Sequence, residues 1–456
     1  MKNKSILTIS IIAYFVFLIF AVVFFKQRII IWDAAFQLFQ VVQNKALAIQ
    51  VNRFGAAITQ LFPLIGIHLG VSLQSVAILY SISFIVFYFG SFLFTWFVLD
   101  NPKIAIVILL FNTLITTHSF FWIQCELVQG AVFTLIYLAS IELQIKKGFI
   151  SNLFYAFSPI ALITIVFFYP LLPFVLIFGL IFLFLQHRTS GNWLLSIGVS
   201  YIVIYFIKIS VFKTSYDTNA MNAANNLIDL FPNYFDLKFH RIFAEWLFKD
   251  YFFLFIFSVW IIISYILKKE YLKLGFFTLS IIGFTLFINV CYFRGAEQFY
   301  LEPQYSILAI FIAFPLSYDI MPILKTKYST LLLSLIIVTC IGRILITERI
   351  YSKRLDWYRS FLKGNNNEKM IVNQKKVPMD LLKMGWSSAL EFWLLSTIEN
   401  KSTASIVFAG EYDFDWVNSS PQVFCIQGGV YKYNDMDKKY FLFKDTINVY
   451  KKVKFD

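Results

Sequence analysis

The sequence predicts a mainly α-helical, polytopic membrane protein with a small polar domain at its C-terminal end. Of its 456 residues, 59% are hydrophobic and only 14% are charged. The mean hydropathy is +0.71, and no apolar run long enough to span a membrane follows residue 348. Soluble domains average about 45–50% apolar and about 25% charged residues. A water-soluble enzyme, a disordered chain and a disulfide-rich secreted scaffold are therefore excluded.

Eleven apolar segments are candidates for membrane-spanning helices, because a helix needs about 20 residues to cross the hydrocarbon core. Two of them, at 104–117 and 153–168, are short for this task. Two consecutive segments meet at Tyr169-Pro170, where the proline predicts a tight turn. The predicted spans cover residues 5–25, 73–99, 104–117, 127–145, 153–168, 171–186, 193–212, 251–267, 274–293, 306–324 and 330–347.

The short loops between these segments predict the orientation. If the N-terminus lies in the cytoplasm, the inner loops contain most of the loop lysines, as the positive-inside rule requires. We therefore attribute the net charge of +13 to topology and expect no nucleic-acid partner. Eleven spans then place the C-terminus outside the cytoplasm, together with four outer loops. These loops are 26–72, 118–126, 213–250 and 294–305.

Two domains follow from this topology, a membrane domain at 1–348 and an extracytoplasmic soluble domain at 349–456. In the first outer loop, 33–47 has apolar residues at helical spacing, which predicts an amphipathic helix on the membrane surface. The soluble domain is predicted to be a small α/β unit. Its strands are expected at 369–372, 405–408, 423–426 and 441–442, and its helices at 378–383 and 389–398.

Asp33 is the first candidate for a catalytic residue. It follows Trp32 at the outer end of the first predicted span. One interpretation makes it the N-cap of the amphipathic helix, where Asp is among the favoured residues. The other makes it a general base in a cavity on the lipid side, with a pKa tuned by partial desolvation. Glu126, at the start of the fourth span, has two comparable interpretations, a helix-dipole role and a role in a cavity.

Cations on the same predicted face form a second group of candidates. Arg294 lies in a compact polar loop and can bind a phosphate through two N–H groups at once. Glu297 or Glu302 would hold its side chain in place, and an ordinary ion pair on an outer loop is the alternative. The further candidates are Arg241 and Lys213 as phosphate-binding cations, and His118 and Arg53 as supporting residues.

Other polar residues give weaker indications. Arg343 lies inside the last predicted span, where a charge points to a ligand or a pathway unless the span ends early. The four cysteines form no CxxC pair and no cluster with histidine, which argues against a structural metal site. Cys125 and Cys291 both lie near predicted outer boundaries, so a disulfide between them is an open alternative.

The order of these features resembles the GT-C superfamily of integral membrane glycosyltransferases, which includes protein mannosyltransferases and aminoarabinose transferases. The features are a first-loop acid at Asp33, the amphipathic helix after it, the segment Asn-Arg-Phe-Gly-Ala-Ala-Ile-Thr-Gln-Leu-Phe-Pro at 52–63, the loop 118–126, the Tyr169-Pro170 turn and the terminal soluble domain. The resemblance covers about residues 1–345 as architecture.

This resemblance implies a polyprenyl-phosphate-linked sugar as donor, membrane lipids around the aromatic spans, and transfer to a lipid, glycan or protein acceptor at the outer face of a bacterial inner membrane. Asp33 would match the acid that deprotonates the acceptor hydroxyl or orients the substrates. Glu126 would match the second-loop acid, and Arg294 the cations that hold the donor phosphate. Many members carry a second acid beside the first, where this chain has Ala34 and Ala35. A divalent metal is therefore an open question, and no other cofactor is implied.

Two other functions compete with a glycosyltransferase. One is a non-catalytic membrane scaffold or pseudoenzyme, which the sequence does not distinguish from an enzyme. The other is a transporter or lipid flippase. Transporters tend to show inverted repeats and broken spans with polar sites at the midplane. Here the polar residues gather at the predicted outer face, which disfavours transport.

The predicted topology can be tested with reporter fusions. Alkaline phosphatase fused after Asp456 is expected to be active, because the charge asymmetry of the inner loops places this end outside the cytoplasm. A green fluorescent protein fused at the same position is expected to stay dark. A bright fluorophore together with an inactive phosphatase would reverse the orientation.

Overall fold

The computed structural model describes residues 4–187, 191–365, 369–410, 421–427 and 429–453, and most of this chain is helical. The helices are α1 (Lys4–Val23), α2 (Phe25–Ile29), α3 (Trp32–Asn44), α4 (Ala57–His68), α5 (Leu73–Leu93), α6 (Pro102–Phe111), α7 (Glu126–Lys147), α8 (Asn152–Phe168), α9 (Leu172–His187), α10 (Gly191–Val211), α11 (Ser215–Asp229), α12 (Lys238–Lys249), α13 (Phe252–Leu267), α14 (Tyr271–Cys291), α15 (Gln298–Pro315), α16 (Thr326–Gly364), α17 (Met379–Leu382) and α18 (Ser388–Asn400). The strands are β1 (Met370–Asn373), β2 (Ile406–Ala409), β3 (Val423–Ile426), β4 (Gly429–Lys432) and β5 (Lys451–Val453).

Among the described residues, seven helices are long and apolar enough to cross a membrane, namely α1, α5, α7, α10, α14, α15 and α16. Each overlaps a predicted span, so the prediction of a mainly α-helical chain with several helices long and apolar enough to span a membrane is confirmed. The other four predicted spans fall on α6, α8, α9 and α13, which have 10, 17, 16 and 16 residues. If α12 and α13 are counted together as one span, they form an eighth candidate, although the two helices meet at 88°. The number of eleven spans therefore stays a prediction.

Two carboxylates hold together one end of the helical bundle, here called the Asp319 end. Asp319 and Glu142 each accept hydrogen bonds from side chains at the ends of several helices, so these helix ends meet in one place. The donors to Asp319 are Gln186, Tyr265 and Lys273 at 2.7, 2.7 and 2.9 Å, and the donors to Glu142 are Asn101 and Tyr318.

A third carboxylate, Glu302, organises the other end of α15, here called the Glu302 end of the bundle. Its buried side chain accepts hydrogen bonds from the 117–119 segment and, at 3.0 Å, from the Tyr251 hydroxyl. At the same end, Arg343 donates to the carbonyls of Leu114 and Asp250 at 3.1 and 2.7 Å. The Arg343 side chain therefore donates hydrogen bonds to backbone carbonyls, which is a structural role.

The last long helix does not end at the predicted domain boundary. α16 runs without interruption for 39 residues, from the bundle into the soluble domain. The composition changes near residue 348, while the backbone stays helical. The predicted boundary between the two domains therefore lies within one continuous helix.

The soluble domain has two small sheets. Strands β2, β1 and β5 form a parallel sheet in that order, and β3 pairs with β4 in an antiparallel hairpin. Three of the four predicted strands correspond to β1, β2 and β3 within one residue, and the two predicted helices overlap α17 and α18. The segment 441–442 is not a strand, and β4 and β5 were not expected from the sequence.

The amphipathic helix predicted at 33–47 is present as α3, but its apolar face does not lie against the membrane. It packs against α18 and the β3–β4 hairpin of the soluble domain. Phe39 is the centre of this contact, and its ring lies 5.1–6.0 Å from the rings of Trp393, Phe424, Tyr431 and Phe441. The expectation of a membrane-surface helix is therefore wrong, because aromatic side chains more than 350 residues away supply the apolar partner.

Candidate functional site

Three residues selected from the sequence, Asp33, Arg53 and Glu126, lie together near the Glu302 end of the bundle. Arg53 Nη1 lies 2.6 Å from Glu126 Oε2, and both side chains are buried. Gln124 donates a hydrogen bond to the other oxygen of Glu126 at 3.2 Å. Asp33 is close enough for the charges of Arg53 and Glu126 to act on its carboxylate. The first two predicted outer loops therefore meet around two carboxylates and one cation.

The start of α3 determines where Asp33 lies. The helix begins at Trp32, whose φ of 25° is strained for a bulky residue. The N-cap position is Ile31, which has no capping side chain. The interpretation of Asp33 as the N-cap is therefore wrong. Instead, the Trp32 N–H donates to Glu391 Oε1 at 2.8 Å, so a carboxylate of the soluble domain caps α3.

Glu391 is held in turn by a buried network. It forms an ion pair with Arg354 of α16 and accepts a hydrogen bond from the Ser387 hydroxyl at 2.6 Å. Arg354 also donates to the carbonyl of Ile30 at 2.8 Å. Ile30 and Trp32 are thus tied to Arg354 and Glu391, which fixes the backbone just before Asp33.

Burial and charge shift the protonation of Asp33. Burial is the main cause that raises the pKa of its carboxyl from 3.8 to about 6, and the negative charge of Glu126 raises it further. The Trp122 indole and the positive charge of Arg53 act in the opposite direction. A carboxyl with a pKa of about 6 exchanges its proton near neutral pH, which is a property of general bases.

A glycine allows the segment that carries Arg53 to approach α8. A Cβ atom at Gly55 would lie 1.7 Å from the ring of Phe168, so only glycine fits here without displacing that ring. The next residue after Phe168 is Tyr169, and the Arg53 guanidinium lies 4.7 Å from its ring centroid. The close contact at Gly55 therefore places Arg53 over an aromatic face.

A cavity of about 570 Å³ lies near this cluster and is lined by the Tyr169-Pro170 turn and by α9, α10, α11, α14 and α15. Two aromatic residues of its lining connect it with the cluster. Tyr169 lies beneath Arg53, and Tyr300 stacks on Trp122 with 5.5 Å between ring centroids. The lining is mostly apolar and includes Lys208, a side chain only 5% exposed in the apolar helix α10. An apolar cavity thus carries a buried cation.

Lys208 is not among the candidates that the sequence suggests. A signal for it was available, because a lysine within a predicted span is costly and marks a functional site by default. Its position near the end of the 193–212 segment made it resemble an ordinary flanking residue.

The other predicted residues lie outside this cluster. His118 Nδ1 lies 3.1 Å from the Tyr351 hydroxyl, and Glu297 forms an ion pair with Lys383 of the soluble domain at 3.2 Å, not with Arg294. The three predicted phosphate-binding cations are exposed, and no contact among the described residues joins them to Asp33. They are Arg294, Arg241 and Lys213.

Within the described residues, no group of three or more His, Cys, Asp or Glu side chains could hold a metal ion. Asp33 and Glu126 alone offer only two carboxylates, and Arg53 already pairs with one of them. All four cysteines are free thiols, so the alternative of a disulfide between Cys125 and Cys291 is wrong.

The titration of Asp33 should move in opposite directions in two variants. Glu126→Gln removes a negative charge and should lower the Asp33 pKa, whereas Arg53→Gln removes a positive charge and should raise it. Infrared difference spectra of the carboxyl band that Asp33→Asn abolishes would give the midpoint, expected at about 6 in the unchanged protein. Glu297→Gln is the matched control and should leave this midpoint unchanged. Shifts of the same sign in both variants would contradict the electrostatic account.

The arrangement offers a base, a cation beside it and an apolar cavity with a second cation. Such a set suits the deprotonation of a hydroxyl next to a ligand that has an anionic group and an apolar body. This interpretation rests on the geometry of the chain itself, since no family model, curated protein or solved structure matches it.

Proposed function

We propose that this chain is a membrane glycosyltransferase, which moves a sugar from a polyprenyl-phosphate donor to an acceptor hydroxyl at the outer face of a bacterial inner membrane. The observation that supports this proposal most is the place of Asp33. It is a carboxyl with a pKa of about 6 beside the Arg53–Glu126 ion pair, and the Tyr169 ring that Arg53 covers lines an apolar cavity.

Asp33 would act as the general base on the acceptor hydroxyl. A base works best when its pKa lies near the operating pH, because it is then both largely ionised and still able to take a proton. Glu126 would keep the Asp33 pKa high and would hold Arg53 in place through the 2.6 Å ion pair. Glu126 is therefore a positioning residue in this scheme, while Asp33 is the catalytic residue.

The donor would be bound by cations and apolar surface together. Its leaving phosphate gains negative charge during transfer, and a cation in a water-poor site stabilises that charge effectively. Arg53 and Lys208 are the two buried cations near this cavity, Arg53 over the ring of Tyr169, which lines it, and Lys208 in its wall. The polyprenyl chain would lie against the apolar lining. Exposed Arg294, Arg241 and Lys213 would at most attract the donor before it enters.

Eleven spans remain the topology that we propose, and the ends of the short helices support it. α13 begins beside Tyr251, which bonds to Glu302, and ends beside Tyr265, which bonds to Asp319. α6 begins beside Asn101 at the Asp319 end and ends shortly before Leu114, whose carbonyl binds Arg343. These two short helices thus reach both ends of the bundle. Basic inner loops would place the Asp319 end in the cytoplasm.

Replacing Asp33 by Asn should separate catalysis from structure. Sugar transfer from a polyprenyl-phosphate monosaccharide to membrane acceptors should fall by roughly 10²–10⁴-fold, as is typical when a general base is lost. The melting temperature should stay equal or rise. Because the pKa of Asp33 is raised from 3.8 to about 6, its ionisation costs stability increasingly as the pH rises through that range, and Asn removes this cost.

The control for this variant is Asp435→Asn, which changes an exposed carboxylate of the soluble domain. It should keep full transfer. In the unchanged protein, transfer should decline as the pH falls below about 6, because Asp33 then becomes protonated. Full transfer by Asp33→Asn would remove this residue from the mechanism and favour a membrane scaffold.

Donor binding should depend more on Lys208 than on Arg294. Lys208→Met removes the cation from the cavity wall and should weaken binding of a polyprenyl phosphate by at least 10-fold, corresponding to about 1.4 kcal/mol. Arg294→Ala, at an exposed position, serves as the matched variant and should bind within about 2-fold of the unchanged protein. Native mass spectrometry in lipid nanodiscs can measure both. The reverse order of effects would restore the phosphate role that the sequence suggested for Arg294.

A further inference from the structure

Arg28, at the Glu302 end of α1 and α2, carries a buried charge that no carboxylate balances. Its side chain is only 1% exposed. In the described part of the chain, no Asp or Glu oxygen lies within 4.0 Å of its guanidinium. A buried charge without a counter-charge is costly, so its retention calls for a physical reason.

The hydrogen bonds of Arg28 leave part of its guanidinium available. Nε and Nη2 donate to the hydroxyl and the carbonyl of Ser81 at 2.9 and 3.0 Å, and Nη1 donates to the carbonyl of Phe120. Its guanidinium carbon also lies 4.2 Å from the Phe120 ring centroid. All of these partners are neutral. Three of five N–H groups are used, so two remain.

A cavity of about 50 Å³, here called the Arg28 cavity, lies next to this guanidinium. Its polar lining includes Tyr14, Tyr88 and Asn112, and none of its lining residues is a carboxylate. The Asn112 amide donates to the Tyr14 hydroxyl at 3.1 Å, which leaves the hydroxyl hydrogen of Tyr14 for another acceptor. The cavity is therefore lined by a cation and by potential donors.

The other charged groups near this loop do not explain Arg28. Glu302 binds the loop at 117–119, but its oxygens are already occupied by backbone N–H groups and hydroxyls. Glu126 pairs with Arg53. Arg343, another buried guanidinium, donates to carbonyls and does not line the Arg28 cavity. Arg28 is the arginine that lines this cavity, and its described hydrogen-bond partners carry no charge.

We propose that the Arg28 cavity binds a small monovalent anion of the size of chloride. A cavity of about 10–15 Å³ holds one water molecule, so this one has room for a halide ion with a water but not for a sugar or a lipid headgroup. The anion would balance the Arg28 charge and accept bonds from Arg28 and Tyr14. Phe120 and Trp122 also line the cavity, so the bound ion would stabilise the loop that leads to Glu126. This inference does not depend on the proposed function.

Thermal stability in different salts tests the proposal. For the purified protein in detergent, sodium chloride should raise the melting temperature by roughly 2–4 °C over sodium gluconate at equal ionic strength, because a ligand of the folded state stabilises it. Sodium bromide should act similarly, and its anomalous scattering in crystals should give a peak beside the Arg28 guanidinium. Equal melting temperatures in chloride and gluconate, or a cavity that holds water only, would overturn the proposal.

Amino-acid substitutions test whether the stabilisation by chloride arises at the Arg28 cavity. Arg28→Gln should abolish the difference between chloride and gluconate. Because this variant loses bonds to the loop and can fail to fold, Tyr14→Phe provides a milder change, and it should raise the chloride concentration for half of the effect several-fold. Arg343→Gln is the matched control, which should lower stability in both salts but keep their difference. A salt difference that survives in both Arg28→Gln and Tyr14→Phe would refute the site.

Discussion

The candidate site depends on one buried carboxylate of the soluble domain, Glu391. It is fully buried and binds the Trp32 N–H, the Ser387 hydroxyl and the Arg354 guanidinium. Breaking a buried ion pair on one side typically costs about 3–5 kcal/mol, because the other charge is left without a partner. The chain therefore has a strong reason to keep α3 capped from the soluble domain, and the position of Asp33 follows from that cap. The soluble domain is thus part of the site and is not an independent module.

Hydropathy was sufficient to predict seven helices that are long and apolar enough to span a membrane, because an apolar run of about 20 residues has few other uses. It could not settle the short helices α6 and α13, since each ends near polar contacts made by Glu302 or Arg343, which hydropathy does not show. The amphipathic pattern of α3 predicts the helix correctly. Such a pattern indicates that one face of the helix is covered, but it does not indicate which residues cover that face. Phe39 packs against residues from 393 to 441, and no local signal reveals such a partner.

The site was predicted in part for a similar reason. Asp33 and Glu126 stand out because each is an isolated acid beside an apolar span, and Arg53 lies in a loop between two helices. Their proximity depends on contacts such as that of Gly55 with Phe168, which sequence does not show. Charge alone does not reveal which cations are buried. Arg294 lies in a polar loop and is exposed, whereas Lys208 is buried in a cavity wall. The burial of a cation depends on the helices packed around it, which its neighbours in the sequence do not show.

The position of Asp33 links the two halves of the molecule. Desolvation is the main cause of its raised pKa, and the charged groups that act on its carboxyl, Glu126 and Arg53, belong to the helical bundle. The helix that carries it is held by the soluble domain, because Glu391 caps α3 and Phe36 and Phe39 pack against Trp386 and Trp393. Residues of the bundle therefore set the electrostatics of this carboxyl, while the soluble domain fixes the helix that presents it.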